Sequence, residues 1–495
     1  MNIKAIVKDP HQAMIERWGS VELCPHPDRI LALTTDIKHN KQEIETLRKE
    51  MQGISRQFRS ASQNTGEAEQ LKAASAKLSS EIKTTEEQLK SQEAKLHEVW
   101  GEDGDAGGLA NGLPRRFTTQ PGQQDVADLP AIHIVLADAS CDTLWDDYVT
   151  SHPNASAYHR YRWRSVIEQS TGHQTLYLLA LSVTGNASVN EAGNTRPTLV
   201  QMHNHSPRCH GVLPLTHLNS HLFGNYMVSL PYFNYGGVLA DSKEIESALL
   251  VRAAELCKQA GASHLEVRQT RRINDWQLST SKVSMLLQLP SNATALDQQL
   301  GAKLRSQIKQ ARQHSLETRI GSADLLDDFY RVFATHMRDL GTPVYAQQFF
   351  ANILHAFPDA ATIVVLYHER QPVAVAFLLG SDDMLEIPWA STLRRANHLN
   401  ANMLLYRQVL EYAIDKGYRY FDFGRSTADA GTYRFKKQWG AIPVQHYWHY
   451  WSDKEQFSPG LNPDNPRFQL AIAVWKKLPV WVTRLLGPSI VKNLP

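Results

Sequence analysis

Between residues 28 and 100, apolar side chains recur every three or four positions. Ile30, Leu33, Ile37, Asn40, Ile44, Leu47, Met51, Ile54 and Phe58 form one ladder. Ala68, Leu71, Ser75, Leu78, Ile82, Thr85, Leu89, Gln92, Leu96 and Val99 form a second. This spacing is that of a heptad seam and predicts two long helices. The polar stretch SASQNTG, residues 60–66, reads as a short turn, so the pair should fold back as an antiparallel coiled-coil hairpin. Each arm, of about 32 residues, reaches about 48 Å at ~1.5 Å per residue. Polar residues at several seam positions of the second ladder predict a thin rod rather than the core of a bundle.

Residues 101–128 lose all periodicity and are rich in Gly, Asp, Gln and Pro, the composition of a flexible linker. Arg115 and Arg116 within it read as solvated side chains that could also meet phosphate. From Leu129 the pattern becomes mixed. AIHIVLAD, QTLYLLALSVTG, TRPTLVQMHNH and HGVLPLTHL read as strands, and FGNYMVSLPYFNYGG as an aromatic, Gly-rich loop segment. In the later half, SADLLDDFYRVFATHMRDLG reads as a helix, ATIVVLYHER and PVAVAFLLG as a hairpin, and DMLEIPWAST as a strand. AELCKQAGASHLEVR superposes on LEYAIDKGYRYFDFG, placing Gly261 on Gly417 and Glu266 on Asp422. A helix, a Gly stop and a strand with a central acid thus occur twice, an internal duplication. The expected fold class is mixed α+β: tandem acyltransferase domains of the GNAT type behind the helical hairpin.

Charge and cysteine content narrow the function classes. The chain has 495 residues and a net charge of +2, so no global basic field marks a nucleic-acid binder and any such contact must be local. Its four cysteines are scattered, which indicates neither a disulfide framework nor a cysteine zinc site. His203, His205, Cys209 and His210 fit no standard zinc spacing, so no metal is expected. The N-terminus lacks a signal-peptide core and no apolar run is long enough to span a membrane. A cytoplasmic protein is the expectation. The apolar, basic end FQLAIAVWKKLPVWVTRLLGPSIVKNLP could dock on the second domain or lie on a membrane surface.

Candidate chemistry gathers in YRYFDFGRSTADAGTYRFKKQWG, residues 418–440. Asp422 lies in a buried strand, Arg425 at its end, and Tyr433, Phe435, Lys436 and Lys437 beyond a polar loop. A charge at a strand end, a flexible loop and an aromatic-flanked Lys pair read as an anion-receiving site or as an edge strand with a solvated basic turn. Arg425 suits phosphate or carboxylate recognition through its planar fork. Asn234 and Tyr235 either line an acceptor pocket or pack a loop. Lys303, Arg305, Lys309 and Arg312 form a basic helix face, for phosphate or for solvent. Arg48, Lys49, Arg56 and Arg59 gather toward the tip of the hairpin. Arg160, Arg162 and Arg164 alternate with Tyr161 and Trp163, an arrangement for base stacking or for arginines snorkelling around a core Trp.

Two resemblances add to this reading. MNIKAIVKDPHQAMIERWG followed by DRILALTTDIKHNKQEIETLRKEMQGISRQF resembles the start of seryl-tRNA synthetases, over about residues 1 to 100. FGNYMVSLPYFNYGGVL, HMRDLGTPVY and FDFGRSTADAGTYRFKKQWGAIP with YWHYW resemble FemAB-like proteins of the exosortase-associated type, from about Leu129 to the C-terminus. The second resemblance implies tandem GNAT domains that move an amino acid from aminoacyl-tRNA to an amine, with no further cofactor. It makes Phe435 and Lys436 the pair serving the tRNA end. The first implies tRNA as partner through Arg48, Lys49, Arg56 and Arg59, and points to tRNA-Ser and serine. The expected organisation is an arm (1–100), a linker (101–128), two GNAT-like domains (129–295 and 296–460) and a C-terminal amphipathic extension (461–495). Ordinary GNAT enzymes cradle the pyrophosphate of coenzyme A in a Gly-rich loop. LRRANHLNAN has no Gly, which disfavours the alternative, an acyl-CoA N-acyltransferase whose hairpin serves dimerisation.

Overall fold

The computed structural model describes residues 3–18, 27–60, 65–101, 114–117, 132–182, 207–220, 223–273, 276–428, 430–453 and 466–494. They fall into two compact units, Met1–Leu113 and Pro114–Pro495.

In the first unit, α1 (Ile3–Lys8) and α2 (Pro10–Trp18) precede the long helices α3 (Pro27–Ser60) and α4 (Thr65–Gly101). The long helices are antiparallel. Asn40 Nδ2 donates to Gln92 Oε1 at 2.8 Å, and the ion pairs Lys41–Glu93 and Arg48–Glu86 both close at 2.7 Å. Ile30, Ile37, Ile44 and Leu96 fill the seam, and Ile6, Val7 and Met14 pack onto its base. The ion pairs are solvent-exposed and contribute at most about 1 kcal/mol each. The Asn40–Gln92 pair is the stronger register device, because a shift would leave the buried Asn40 amide unpaired. Of the expected turn, Ser60, Thr65 and Gly66 are helical and residues 61–64 lie outside the described residues.

The second unit is two halves that share strands. The first half contributes β1 (Ile132–Leu136), β2 (Gln174–Thr175), β3 (Leu178–Ser182), β4 (Arg208–Leu213), β5 (Thr216–Ser220), β6 (Gly224–Val228), β7 (Leu239–Ala240), β8 (Leu265–Gln269), β9 (Gln277–Ser279) and β10 (Lys282–Gln288). The second half contributes β11 (Glu317–Gly321), β12 (Ala361–His368), β13 (Gln371–Ser381), β14 (Met384–Thr392), β15 (Tyr420–Thr427), β16 (Ile442–Gln445) and β17 (Tyr447–Trp451). In each half two parallel strands are joined through a helix: β6 to β8 through Lys243–Gln259, and β14 to β15 through Ala401–Asp415. Both helices end at a left-handed glycine, Gly261 (φ +60°) and Gly417 (φ +80°). The duplication read from the sequence is therefore a repeated supersecondary unit.

Sheet membership does not follow the expected boundary between residues 295 and 296. The sheets run β1-β3-β4-β7, β2-β5-β6-β8-β17-β9 and β11-β12-β13-β14-β15-β10-β16. Strand β10 completes the sheet of the second half, and β17 completes a sheet of the first. One aromatic core also spans both halves. Tyr158, Trp163, Phe233 and Tyr235 pack with Phe329, Phe349, Phe350 and Phe377, so neither half is a separable domain. TRPTLVQMHNH, expected as a strand, lies outside the described residues.

The C-terminal helices Pro466–Trp475 and Val480–Val491 dock on this unit. Arg338 Nη1 donates to Leu478 O at 2.9 Å, and Tyr226 and Tyr232 hydroxyls donate to Asn493 O and Lys492 O. Among the described residues no helix is long and apolar enough to cross a membrane.

Candidate active site

Alternation along the central strands builds the site. In β15, Phe421 and Phe423 enter the core beneath helix Ala401–Asp415, where Tyr406 stacks on Phe423 at 5.6 Å. Asp422 must then point to the opposite face. In β14, Leu385 and Ile387 join the same core and leave Glu386 on the face of Asp422. The two strands are parallel with Glu386 opposite Asp422, so their period-two patterns bring two buried carboxyls side by side. Gly424 then breaks the ladder. It adopts φ +77°, a Cβ there would lie 3.3 Å from Ile387 O, and the pairing with β10 slips between Ser284 and Leu286. A bulge of this kind needs glycine and turns the following residues off the strand line.

The carboxyls differ in their partners. Asp422 accepts the Gly424 N–H at 2.7 Å and the Ser284 hydroxyl at 2.8 Å, with His446 Nε2 2.8 Å from that hydroxyl. Glu386 accepts the Tyr235 hydroxyl at 2.7 Å. Burial, and then the charge of Asp422, push the Glu386 carboxyl up to about 7. Burial also raises Asp422, but its two donors and Lys436 oppose the rise. Two adjacent carboxyls in a dry site cannot both ionise readily. The proton therefore resides on Glu386 and the charge on Asp422. His446 is held neutral by burial and by the two nearby arginines, Arg425 and Arg268.

Lys436 belongs to the short helix Gly431–Lys437 and is buried. Its Nζ donates to Gly424 O and Arg425 O, both at 2.9 Å, and so holds the bulge by its carbonyls where Asp422 holds it by the Gly424 N–H. Burial lowers its pKa to about 8, against the pull of Asp422. An ammonium has three N–H donors. Two are engaged here, which leaves one for a developing negative charge.

Arg425 and Arg268 share the ring of Trp448, with guanidinium carbons 5.4 Å and 4.4 Å from its centre. Arg268 is buried and neutralised, donating to Glu266 Oε1 and Phe233 O, both at 2.6 Å. Arg425 forms no ion pair among the described residues. Its side chain reaches solvent, yet surrounding protein desolvates it and Arg268 repels it, and both lower its pKa. An unpaired guanidinium beside a second arginine favours an anion, which removes the repulsion.

Comparison with known proteins names the scaffold. Residues 300–437 match the family model of an acetyltransferase (GNAT) domain. Residues 2–101 match that of the seryl-tRNA synthetase N-terminal domain. The chain thus carries a seryl-tRNA synthetase-type N-terminal domain and, in the second half of its larger unit, a GNAT domain. Of the solved structures, FemX is 13% identical with a TM-score of 0.46, covering 69% of this chain and 100% of its own. A tandem GNAT protein from the clavulanic acid biosynthesis pathway is 12% identical with a TM-score of 0.40, covering 66% and 100%. The C-terminal domain of a putative lysylphosphatidylglycerol synthetase from Agrobacterium fabrum is 12% identical with a TM-score of 0.40, covering 63% and 92%. No curated protein matches the chain.

The Pro114–Pro495 unit brings together Asp422, Lys436, Arg425 and Tyr235 from the sequence reading. The Asn234 carbonyl joins them by accepting Trp448 Nε1–H at 3.1 Å. Phe435 turns the other way, into the core against Tyr406 at 5.1 Å, because successive helical residues point about 100° apart. Tyr433 packs on that core, and Lys437 is exposed above the Tyr433 ring at 5.9 Å. Lys303, Arg305, Lys309 and Arg312 are all exposed on helix Ala302–Arg312, over buried Leu304, Ile308 and Ala311. In the N-terminal unit, Arg48 and Lys49 are paired with Glu86 and Glu45. The side chains of Arg56 and Arg59 lie outside the described residues.

Of the two readings of Arg160, Arg162 and Arg164, base stacking or snorkelling around a core Trp, the structure agrees with the second. Arg160 donates to Thr150, Arg162 to Ala356 O and Arg164 to Ala137 O, around a fully buried Trp163. Arg116 is buried rather than solvated; its turn inserts beside Tyr235, with Phe117 edge-on to that ring at 5.7 Å. His210 bridges Ser182 at 2.8 Å and Asp241 at 3.0 Å, a polar network closed by the Tyr148 hydroxyl. His203 and His205 lie outside the described residues, and no metal-binding group occurs among those described. Sequence reasoning missed Glu386, Ser284, His446, Arg268 and Trp448. Glu386 had one local signal, an acid between Leu385 and Ile387 in an otherwise apolar strand.

Proposed function

We propose that this acyltransferase takes its acyl group from an aminoacyl-tRNA and forms an amide on an acceptor amine. The observation that carries the reading is the union of a seryl-tRNA synthetase-type N-terminal domain with a GNAT domain in one chain. An aminoacyl ester is already activated, so the protein must mainly position the reactants and stabilise the tetrahedral oxyanion. In this reading the acceptor nitrogen bonds to the ester carbonyl carbon, the bond to the ribose oxygen of the tRNA breaks, and that oxygen leaves as a hydroxyl with the proton given up by the amine. The free N–H of Lys436 meets the oxyanion, Asp422 is the ionised carboxylate that receives the amine proton, and Arg425 holds an anionic group. Exposed Lys303, Arg305, Lys309 and Arg312 offer phosphate contacts.

Serine is the donor amino acid this reading favours, because selection by the tRNA body would deliver it without a discriminating pocket. The acceptor is an amine of a peptide, a cell-envelope precursor or a small metabolite. A second reading, transfer from an acyl-CoA, is favoured by the acetyltransferase character of the matched domain model. Against it, the turn before helix Ala401–Asp415 has no glycine, and Arg394 there is engaged with the Asp339 carbonyl at 2.8 Å.

RNA retained by the purified full chain tests the reading. The expected result is tRNA, released as salt is raised because phosphate contacts release counterions. Protein free of RNA that binds acetyl-CoA instead would move the assignment to the second reading.

A further inference from the structure

The last helix, Val480–Val491, is oriented against its own hydrophobicity. Its buried face is Thr483, Gly487 and Val491. Gly487 lets it press on Val344, whose backbone would lie 2.8 Å from a Cβ at that position. The opposite face presents Trp481 (69% exposed) and Leu485 (70%), with Leu486 (46%) at its flank. A helix with only water outside would bury the Trp and Leu and expose the Thr. Of the eight large apolar side chains most exposed among the described residues, four lie between 474 and 486, so the feature is a patch and not scatter. Leu340 (50% exposed) extends it, because the adjoining Gly341 packs on Ile472 and Lys476.

The charge around the patch points to its occupant. Residues 466–495 contain Arg467, Lys476, Lys477, Arg484 and Lys492 and not one Asp or Glu. Lys476 and Lys477 are exposed at the turn between the two C-terminal helices, and Arg484 lies over Tyr330 at 4.9 Å. An open groove of about 420 Å³ lined by Tyr330, Trp481, Arg484, Leu485 and Pro488 runs beside the helix. Asp339, next to Leu340, is held by Arg338 at 2.7 Å. An exposed Trp and leucines flanked by Lys476, Lys477 and Arg484 match the boundary of an anionic bilayer, where the indole sits at headgroup level and the cations meet lipid phosphates.

We infer that the face of Trp481 and Leu485 docks the Pro114–Pro495 unit on an anionic membrane surface. The contact is peripheral, and it stands whichever acyl donor the enzyme uses.

Full-length protein is mixed with vesicles of phosphatidylcholine alone or with about 30% phosphatidylglycerol, and bound protein is measured by sedimentation. The protein should partition onto the anionic vesicles and much less onto the neutral ones. Trp481→Ser with Leu485→Ser should weaken partitioning by about tenfold or more with the melting temperature unchanged, since both side chains are exposed. Lys476→Glu with Lys477→Glu should abolish the preference for anionic lipid. Absence of vesicle binding, or equal binding by the Ser double variant, would overturn the inference. So would a dimer that the Ser variant converts to monomer without any vesicle binding, which would give the face to a second copy of the chain.

Discussion

Glu386 and Asp422 are register partners on adjacent parallel strands, both carboxyls are buried, and neither forms an ion pair among the described residues. Where the pair holds one proton, Glu386 is the favoured site, because Asp422 has the donors that favour charge. A proton held in the fold but released by the unfolded chain makes stability depend on pH. Glu386 rises from 4.5 to about 7. The unfolded chain gives up that proton first, so stability should fall as pH climbs through this window. The size is on the order of 3 kcal/mol. Glu386→Gln keeps an acceptor for the Tyr235 hydroxyl and removes the titration. Denaturant unfolding at pH 5 and pH 8 should show a loss in the parent that is largely absent from the variant. An equal loss in both would place the proton elsewhere.

Lys436 should carry a rate signature. With a pKa lowered to about 8, its ammonium is intact below that pH and lost above it. If it stabilises the oxyanion, transfer should decline above about pH 8, and Lys436→Arg should push that decline well upward. Lys436→Ala should cost on the order of 100-fold in turnover with donor affinity nearly unchanged. A flat alkaline profile in the parent would remove the lysine from the chemical step.

Arg425 should act through binding. Its guanidinium makes no ion pair among the described residues, so Arg425→Ala leaves no partner stranded and should leave the melting temperature within a degree or two. The expected effect is a rise in KM with kcat nearly kept, measured on a defined donor and acceptor. A fall in kcat alone would assign it to the transition state instead.

Gly424→Ala probes the bulge that Asp422 and Lys436 both hold. The positive φ and the nearby Ile387 carbonyl predict a destabilisation of about 1–3 kcal/mol, read by thermal or denaturant unfolding. Activity should fall further than stability, because the Lys436 acceptors move with the bulge.

Local patterns were legible in the sequence, and long-range pairings were not. The heptad ladders placed Asn40 and Gln92 in facing seams because a helix writes its buried face into consecutive residues. The repeated helix, Gly stop and acid-bearing strand likewise identified Gly261, Gly417 and Asp422. The exchange of β10 and β17 between halves left no trace, since an apolar strand does not record which sheet it joins. Arg116 looked solvated because its turn sits in a Gly-rich linker, although its side chain is buried. Glu386 was one acid in a segment read only as a strand, and only parallel pairing with β15 makes it half of a carboxyl pair. Phe435 and Lys436 are adjacent in sequence, yet the helix sends one into the core and the other to the bulge.

The donor is the central claim, and one assay addresses it directly. Full-length protein is offered a pool of tRNA charged with radiolabelled amino acids, together with an amine acceptor, and separately labelled acetyl-CoA. The product is tested for an alkali-stable amide. The account predicts label transferred from aminoacyl-tRNA, and transfer by Lys436→Ala slowed on the order of 100-fold. It also predicts greater transfer from seryl-tRNA with its long variable arm than from serine placed on a tRNA lacking one. Transfer from acetyl-CoA alone, with every charged tRNA left intact, would contradict it.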